Sequence, residues 1–190
     1  MTTPDLRNTP DAWSSRALTC ETSLEAVGWT AASQLARFQA VLDALEPRAG
    51  DRLLDYGCGT GALTEHLPEG VTYLGYDWAK GMVARARAEH AEHAFTDHGP
   101  LGQYDLVALI GPFNLPGNWS KQHTWHTLRH LWDTTGCRRL ALSLYAGNDE
   151  RCLQYTEHEV ASHGASLSYY ARLERWRHND LLLTVSREPL

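Results

Sequence analysis

The stretch Leu53-Leu54-Asp55-Tyr56-Gly57-Cys58-Gly59-Thr60-Gly61 decides the fold of this chain. An apolar run that ends in an acid and continues into alternating glycines is typical of a buried strand followed by a tight turn. A helical spacing begins directly afterwards, so the sequence predicts a strand, a turn and a helix in succession. Glycine permits a positive φ and lets a ligand approach the backbone, and a helix N-terminus attracts an anion. The turn is therefore a candidate ligand-binding loop.

Three interpretations of this loop differ in the ligand that they imply. Gly57, Gly59 and Ala62 fit the dinucleotide-binding pattern G-x-G-x-x-G/A. Asp55 favours a different ligand, because a carboxylate would repel two phosphates and would attract a sulfonium or an ammonium group. A structural glycine turn that binds no ligand is the third interpretation.

The same stretch resembles the first motif of class I S-adenosylmethionine-dependent methyltransferases, which reads roughly L-D-x-G-C-G-T-G. Eight consecutive positions of this chain fit that motif. The resemblance implies S-adenosylmethionine as the cofactor, with Asp55 beside its positive charges. It also implies that the turn itself contacts the cofactor through Gly57, Cys58, Gly59 and Gly61.

Size and composition predict one ordinary globular domain that spans residues 1–190. The chain has 190 residues, of which 43% are hydrophobic and 21% charged, which suffices for a full hydrophobic core. It contains no apolar run of about 18 residues that predicts a transmembrane helix, and no secretory signal is visible. The four cysteines form no C-x-x-C pair, so no metal site or disulfide framework is expected. We expect a cytoplasmic protein.

The charge balance argues against nucleic acid as a partner. The net charge is −6, with 17 basic and 23 acidic residues, and the only lysines are Lys80 and Lys121. A protein that holds nucleic acid usually presents a basic face. We therefore expect a small-molecule substrate, and neither a nucleic acid nor a membrane as partner.

Apolar runs and chain breakers predict strands that alternate with helices. Alternation of this kind requires a mainly parallel sheet with helices on both faces, whereas two final strands joined by a short turn must be antiparallel. The predicted fold class is α/β, a Rossmann-like seven-stranded methyltransferase sheet with a C-terminal antiparallel hairpin. The predicted strands are 52–56, 71–76, 93–96, 104–110, 139–145, 166–175 and 181–187. The first predicted helix begins at Thr30, and the others span 62–67, 79–91, 119–132 and 157–163.

The first 29 residues form a separate segment before the core of residues 30–190. Residues 1–12 are expected to form a flexible arm. Residues 13–29 contain apolar side chains without a regular period, and such a segment is not stable alone. We expect it to close over the cofactor as a lid, with Trp13 or Trp29 lining the acceptor pocket, because methyl transfer benefits from the exclusion of water.

The end of the second predicted strand supplies further cofactor contacts, since ligands bind at the carboxyl ends of strands in such sheets. Asp77 lies twenty positions after Gly57 and suits the two ribose hydroxyls. In the methyltransferase family, an aromatic residue at the position of Trp78 often packs on the adenine. Met82 adds a contact from the next turn. An ordinary strand-end acid and core packing of these apolar residues are the alternatives.

The third and fourth predicted strands end in the remaining candidates. By resemblance to the family's third motif, Asp97 accepts a hydrogen bond from the adenine amino group, with help from the backbone of Thr96 or His98. Carbonyl groups at Ile110 and Gly111 are expected to face the methionine ammonium group. Phe113, in the loop that follows, is expected to form a wall of the methyl-transfer site.

A group of small, poorly characterised methyltransferases is similar to this chain over about residues 28–187. The matching positions are Gly28-Trp29, Gln34, Arg37-Phe38, the segment 110–114, Tyr155 and Arg177-His178-Asn179. Within this resemblance we hypothesise that Arg37 binds the methionine carboxylate, because a guanidinium group binds a carboxylate through two hydrogen bonds. A surface arginine is the alternative.

The implied reaction is an in-line displacement, which depends mostly on positioning. A general base is needed only if the acceptor starts protonated, and histidine suits that role. The candidates are His98, His123, His126 and His178. A methyltransferase acting on a small, partly aromatic or apolar molecule is the first hypothesis. A non-catalytic S-adenosylmethionine-binding protein or partner subunit is the second, and a nicotinamide reductase is the third.

Overall fold

The structure is a computed structural model that describes residues 8–100, 102–177 and 179–190. Its helices are α1 (Pro10–Thr19), α2 (Ser23–Val27), α3 (Ala31–Leu45), α4 (Lys80–Glu89), α5 (Lys121–Thr135) and α6 (Glu157–Leu167), with a 3-10 helix at Ala62–His66. Its strands are β1 (Arg52–Tyr56), β2 (Thr72–Tyr76), β3 (Ala94–Thr96), β4 (Leu106–Ile110), β5 (Arg139–Tyr145), β6 (Tyr170–Trp176) and β7 (Asp180–Ser186).

The strands form one seven-stranded sheet in the order β3-β2-β1-β4-β5-β7-β6. β1 pairs in parallel with both β2 and β4, and β5 pairs in parallel with β4. β7 is antiparallel to both of its neighbours, β5 and β6. The predicted fold class is confirmed, including the antiparallel hairpin at the C-terminal end.

Two hydrophobic layers cover the sheet. One contains Phe38 and Val41 of α3, and the other contains Leu128 and Trp132 of α5. Every residue of β4 is buried, as expected for a central parallel strand that is covered on both faces. This packing fixes the strand ends, and with them the loops that form the site.

The prediction for the last helix was wrong at its end. Gly164 was expected to end that helix, but α6 continues to Leu167, and the following strand begins at Tyr170 and not at residue 166. A Cβ atom at Gly164 would lie 2.6 Å from Cδ1 of Leu183. This glycine therefore permits close packing of α6 on β7, and it does not act as a helix stop.

The helical spacing that begins at Thr30 predicts Leu35, Phe38 and Leu45 on one buried face of α3. Phe38 and Leu45 are buried, whereas Leu35 is 40% exposed.

The N-terminal segment forms two helices that pack on α4. Residues 1–7 of the expected arm lie outside the described residues, while α1 starts at Pro10 with Thr9 as its N-cap. The amide of Gly81 in α4 donates to Ser14 Oγ at 3.1 Å. Arg85, also in α4, donates hydrogen bonds of 2.9–3.0 Å to the carbonyls of Ala17, Cys20 and Glu21. These hydrogen bonds hold the N-terminal segment on α4.

A membrane-crossing helix is not found within residues 8–100, 102–177 and 179–190, where each helix is too short or too polar for that purpose.

Candidate functional site

A cavity of about 420 Å³ lies where β1, β2 and β4 end. Its volume falls in the range of about 300–1,000 Å³ that is usual for small-molecule sites. Residues 55–60, 76–78 and 110–115 line it from the sheet, and Trp13 and Trp29 line it from the N-terminal segment. Candidate site residues were predicted at the ends of the first four strands. The ends of β1, β2 and β4 contribute to this cavity, and the end of β3 does not.

The glycine loop has the backbone geometry that its sequence predicts. Gly57, Gly59 and Gly61 have φ values of 86°, 54° and 83°. The amides of Gly57 and Cys58 both donate to the carbonyl of Tyr76, at 2.7 and 2.9 Å. A Cβ atom at Gly57 would lie 2.6 Å from Cβ of Pro112. Backbone conformation and available space both require glycine at this position.

Asp77 joins this loop to the end of β2. Its carboxylate accepts hydrogen bonds from the amides of Gly59 at 3.0 Å and Ala79 at 2.9 Å. The residue is 8% exposed, and its burial raises the pKa of the carboxyl to about 6, against the lowering effect of the two amides. Asp77 lines the cavity, and its predicted contact with the ribose stays a prediction.

Asp55 is a second buried carboxylate on the same wall. It is 3% exposed and accepts a hydrogen bond of 2.8 Å from the hydroxyl of Tyr73. Burial raises the pKa of Asp55 to about 7; the Tyr73 hydrogen bond opposes this rise and the nearby Asp77 adds to it. Within the described residues, no Lys, Arg or His forms an ion pair with either carboxylate. A ligand that carries positive charge would complete this arrangement.

Aromatic rings form the wall beside these acids. The rings of Tyr56 and Tyr76 lie 4.7 Å apart. Trp119 lies 5.4 Å from Trp78 and 5.4 Å from Phe113, which is fully buried. Rings in such tilted contacts present apolar area at fixed positions. Tyr56 and Tyr76 were missed from the sequence, although each stands beside a marked acid at a strand end.

The N-terminal segment closes one side of the cavity. Trp29 packs on the loop after β4 so closely that a Cβ atom at Gly111 would lie 2.8 Å from its Cζ2. Asn8 is 3% exposed; it accepts from Trp13 Nε1 at 3.1 Å and donates to the carbonyl of Leu115 at 2.6 Å. Asn8 thus links the lid to that loop. No sequence pattern indicated this contact, because Asn8 lies in the expected arm.

The remaining expected cofactor contacts divide into two groups. Met82, Ile110 and Gly111 line the cavity together with the residues above. Gly61 of the glycine loop does not line it. Neither do Asp97 and His98, and the side chain of His98 is 90% exposed. The short β3 ends before the cavity wall, so the predicted adenine contacts of this pair have no support from the geometry.

Arg37 lines the cavity, but its guanidinium group already binds another side chain. Nη2 donates to both carboxylate oxygens of Asp180 at 2.9 Å, and Nη1 contacts Ser33. Nε is buried and has no hydrogen-bond partner among the described residues. The two-bond contact with the methionine carboxylate is therefore not available in this conformation.

The candidate general bases His98, His123 and His126 do not line the cavity. His123 contacts Ser120 Oγ at 2.8 Å and lies outside the lining. His126 lines a separate groove between α5 and α6. α5 directs its apolar residues toward the sheet, which leaves these two imidazoles on its exposed side. His178 lies outside the described residues. Among the described residues, no cluster of acids, histidines and cysteines suits a metal ion.

This site on this sheet defines a class I S-adenosylmethionine-dependent methyltransferase. The glycine loop, Asp77 at the end of β2 and the buried carboxylate of Asp55 all fit that cofactor. Residues 30–135 match the model of a family described as a methyltransferase domain. The chain belongs to this methyltransferase domain family, and its cofactor is S-adenosylmethionine.

Individual relatives support the family and the fold. An aligned stretch of 82 residues is 45% identical to nocamycin O-methyltransferase of Saccharothrix syringae, and it covers 35% of this chain and 29% of that relative's length. Magnesium protoporphyrin IX methyltransferase from Synechocystis PCC 6803, with bound S-adenosylhomocysteine, superposes with a TM-score of 0.68 at 17% identity over 97% of both chains. Geranyl diphosphate C-methyltransferase from Streptomyces coelicolor A3(2) gives a TM-score of 0.68 at 11% identity, covering 99% of this chain and 100% of that one.

The two buried carboxylates predict that cofactor binding depends on pH. A cationic ligand favours the ionised carboxylates, so affinity for S-adenosylmethionine should rise from about pH 5 to about pH 8, across the pKa values of about 6 and about 7. The stability of the ligand-free chain should change in the opposite direction. Both pKa values are raised in the folded chain, so protonation of these two acids stabilises the fold. This contribution to the free energy of unfolding is complete below about pH 4 and is lost as the pH rises through the two raised pKa values.

Titration calorimetry and thermal melting across this pH range measure the two trends. Asp55→Asn keeps an acceptor for the Tyr73 hydroxyl and removes the charge, so it should flatten the rise in affinity. Asp133→Asn, on the exposed side of α5, is the matched control and should behave as the unaltered chain. Equal affinity at all pH values in the unaltered chain would contradict the assignment of the carboxylates.

Proposed function

We propose that this chain transfers a methyl group from S-adenosylmethionine to a small acceptor with an aromatic or apolar body. The observation that carries the proposal is the continuity of the cavity: the wall of Trp78, Phe113 and Trp119 adjoins the glycine loop and lies beneath the N-terminal lid. Nothing in the charge balance of the chain favours nucleic acid as the acceptor. The fold also accommodates acceptors of this size, since two structural neighbours are named for the methylation of magnesium protoporphyrin IX and geranyl diphosphate.

The side chains around the cavity have separable roles. S-adenosylmethionine supplies a methyl group bonded to a positively charged sulfur. Asp55 stabilises positive charge at the end of the sheet, Asp77 accepts hydrogen bonds from the ribose hydroxyls, and the glycine loop lets a ligand approach the backbone. Trp13 and Trp29 cover the cavity and exclude water from it.

Positioning is the main contribution to catalysis that these residues provide. Of the described residues that line the cavity, none is a histidine or a lysine. Burial raises the pKa of the Tyr56 hydroxyl well above its ordinary value, so that hydroxyl stays protonated at neutral pH and donates hydrogen bonds. We therefore propose an acceptor whose reacting atom is a competent nucleophile without a strong base from the protein.

Turnover of small acceptors tests this function. The full chain, S-adenosylmethionine and a series of phenols, aromatic carboxylic acids and amines should release S-adenosylhomocysteine, whereas transfer RNA should not support turnover. Trp119→Ala should raise the KM for the acceptor about 3- to 10-fold through a lost aromatic contact. Its cofactor affinity should change less than the KM, because Trp119 belongs to the segment after β4 and not to the glycine loop itself.

Trp125→Ala is the matched control for this experiment. Trp125 lies on the same stretch of chain but stacks on His163 at 4.2 Å, in the groove between α5 and α6. It should leave the KM unchanged. Turnover of transfer RNA alone would contradict a small acceptor. Tight cofactor binding without turnover of any acceptor would favour a non-catalytic binding protein.

A further inference from the structure

The two edges of the sheet differ in length. β3, at one edge, has three residues, and a short edge strand is a common protection against pairing with another chain. β6, at the other edge, has seven residues, all in register with β7, and in the described part of the chain it pairs with no other strand. Its sequence contains neither lysine nor proline, two residues that often protect such an edge, and its charged residues are Arg172, Glu174 and Arg175.

Hydrogen bonds around β7 show which backbone groups of β6 point away from the sheet. Arg187 donates to the carbonyl of Arg138, and Ala146 donates to the carbonyl of Asn179. In an antiparallel sheet, the backbone N–H and C=O groups of successive residues point alternately to the two neighbouring strands. Odd-numbered residues of β7 and its flanks therefore bond to β5, and even-numbered residues of β7 bond to β6. In the register of Arg172 with Thr184, even-numbered residues of β6 face β7. The N–H and C=O groups of Ala171 and Leu173 consequently point outward.

The side chains of β6 are complementary to themselves under a two-fold axis through Leu173. In antiparallel pairing of two copies about this residue, Arg172 of one copy lies opposite Glu174 of the other, and Glu174 lies opposite Arg172. The same register places Tyr170 opposite Trp176. The side chains of Arg172 and Glu174 are 63% and 41% exposed and already form an ion pair within one chain, so each can turn to the neighbouring strand. Tyr169, beside this edge, is 94% exposed.

We propose that two copies of this chain pair through β6 and form one continuous antiparallel sheet across a two-fold axis. Outward N–H and C=O groups supply the hydrogen bonds, as in other cases of strand addition. The opposite charges fix the register, because opposite-charge pairs across strands are favourable and like charges are unfavourable. An isologous contact of this kind is closed and does not continue into a fibre.

Light scattering on the full chain over a range of micromolar concentrations tests the proposal. The molar mass should approach twice the 21.3 kDa of one chain as concentration rises. Glu174→Arg places like charges opposite each other and should raise the dissociation constant about tenfold or more. The double variant Arg172→Glu with Glu174→Arg restores the opposite pairing and should restore the dimer.

Glu92→Arg makes the same charge change at an exposed site that follows α4 and should leave the dimer intact. Thermal melting and cofactor binding establish that each variant is folded, independently of its mass. A monomer at every concentration would overturn the proposal. So would a dimer that Glu174→Arg leaves unchanged, or one that the double variant fails to restore.

Discussion

Replacement of Gly57 by alanine is expected to weaken S-adenosylhomocysteine binding by about 100-fold or more. Gly57 has a φ of 86°, and an added Cβ atom would lie 2.6 Å from Cβ of Pro112. A non-glycine residue held in this region costs on the order of 1–3 kcal/mol, and overpacking adds about 1–3 kcal/mol. Relief of the clash requires movement of the loop against Pro112, which displaces two walls of the cavity together.

Gly50→Ala is the matched control for this substitution. Gly50 has a φ of 93°, so the backbone strain is similar, but an added Cβ atom would find no atom within 4 Å. Gly50 does not line the cavity. Calorimetry should show unchanged affinity in Gly50→Ala, with a lower melting temperature. If Gly57→Ala is folded and binds S-adenosylhomocysteine as the unaltered chain does, the glycine loop is not the cofactor loop.

Deletion of residues 1–29 is expected to reduce methyl transfer about 10- to 100-fold and to weaken cofactor binding. Misplacement of reacting groups by about 1 Å is enough for a loss of this size. The deletion removes Trp13 and Trp29 from the cavity lining. It also uncovers Ala79 and Met82, which pack against Ala17 and Ala26. The core of residues 30–190 keeps the whole sheet, so it should still fold.

Asn8→Ala gives a milder version of the same test. It removes both hydrogen bonds that link the lid to Leu115 and leaves the contacts of Arg85 with α1 in place. We expect a partial loss of turnover and faster proteolysis within residues 13–29. Ser23→Ala removes one hydrogen bond between the lid segment and Glu89, far from this link, and should have little effect. Proteolysis that is equally fast with and without S-adenosylhomocysteine would show that the segment is not a cofactor-linked lid.

Local sequence was sufficient to predict the elements that depend on local rules. β1 and β5 have the bounds that were predicted, because glycines and polar residues flank continuous apolar runs. Thr30 caps α3 through a hydrogen bond from the amide of Ser33, as its position before a helical period indicated. The positive φ values of the glycine loop follow from the same local reasoning.

The remaining features depend on contacts between distant parts of the chain. Arg37 binds Asp180, 143 positions away, and no sequence pattern shows that this acid would occupy the guanidinium group. Asn8 reaches Leu115 across 107 positions. Gly164 looked like a helix stop, and only its approach to Leu183 explains why the helix continues. His123 and His126 lie outside the cavity for the same reason, since a residue type does not determine which side of α5 faces the cavity.

Calorimetric titration of the full chain with S-adenosylhomocysteine and, separately, with NADH tests the central claim most directly. The two ligands differ in the charge that they bring to the acids beside the glycine loop. NADH brings two negatively charged phosphates close to Asp55, whereas S-adenosylhomocysteine brings an ammonium group. We expect S-adenosylhomocysteine to bind at micromolar concentrations and NADH to give no binding heat. Binding of NADH alone would contradict the assignment of the cofactor and the function proposed from it.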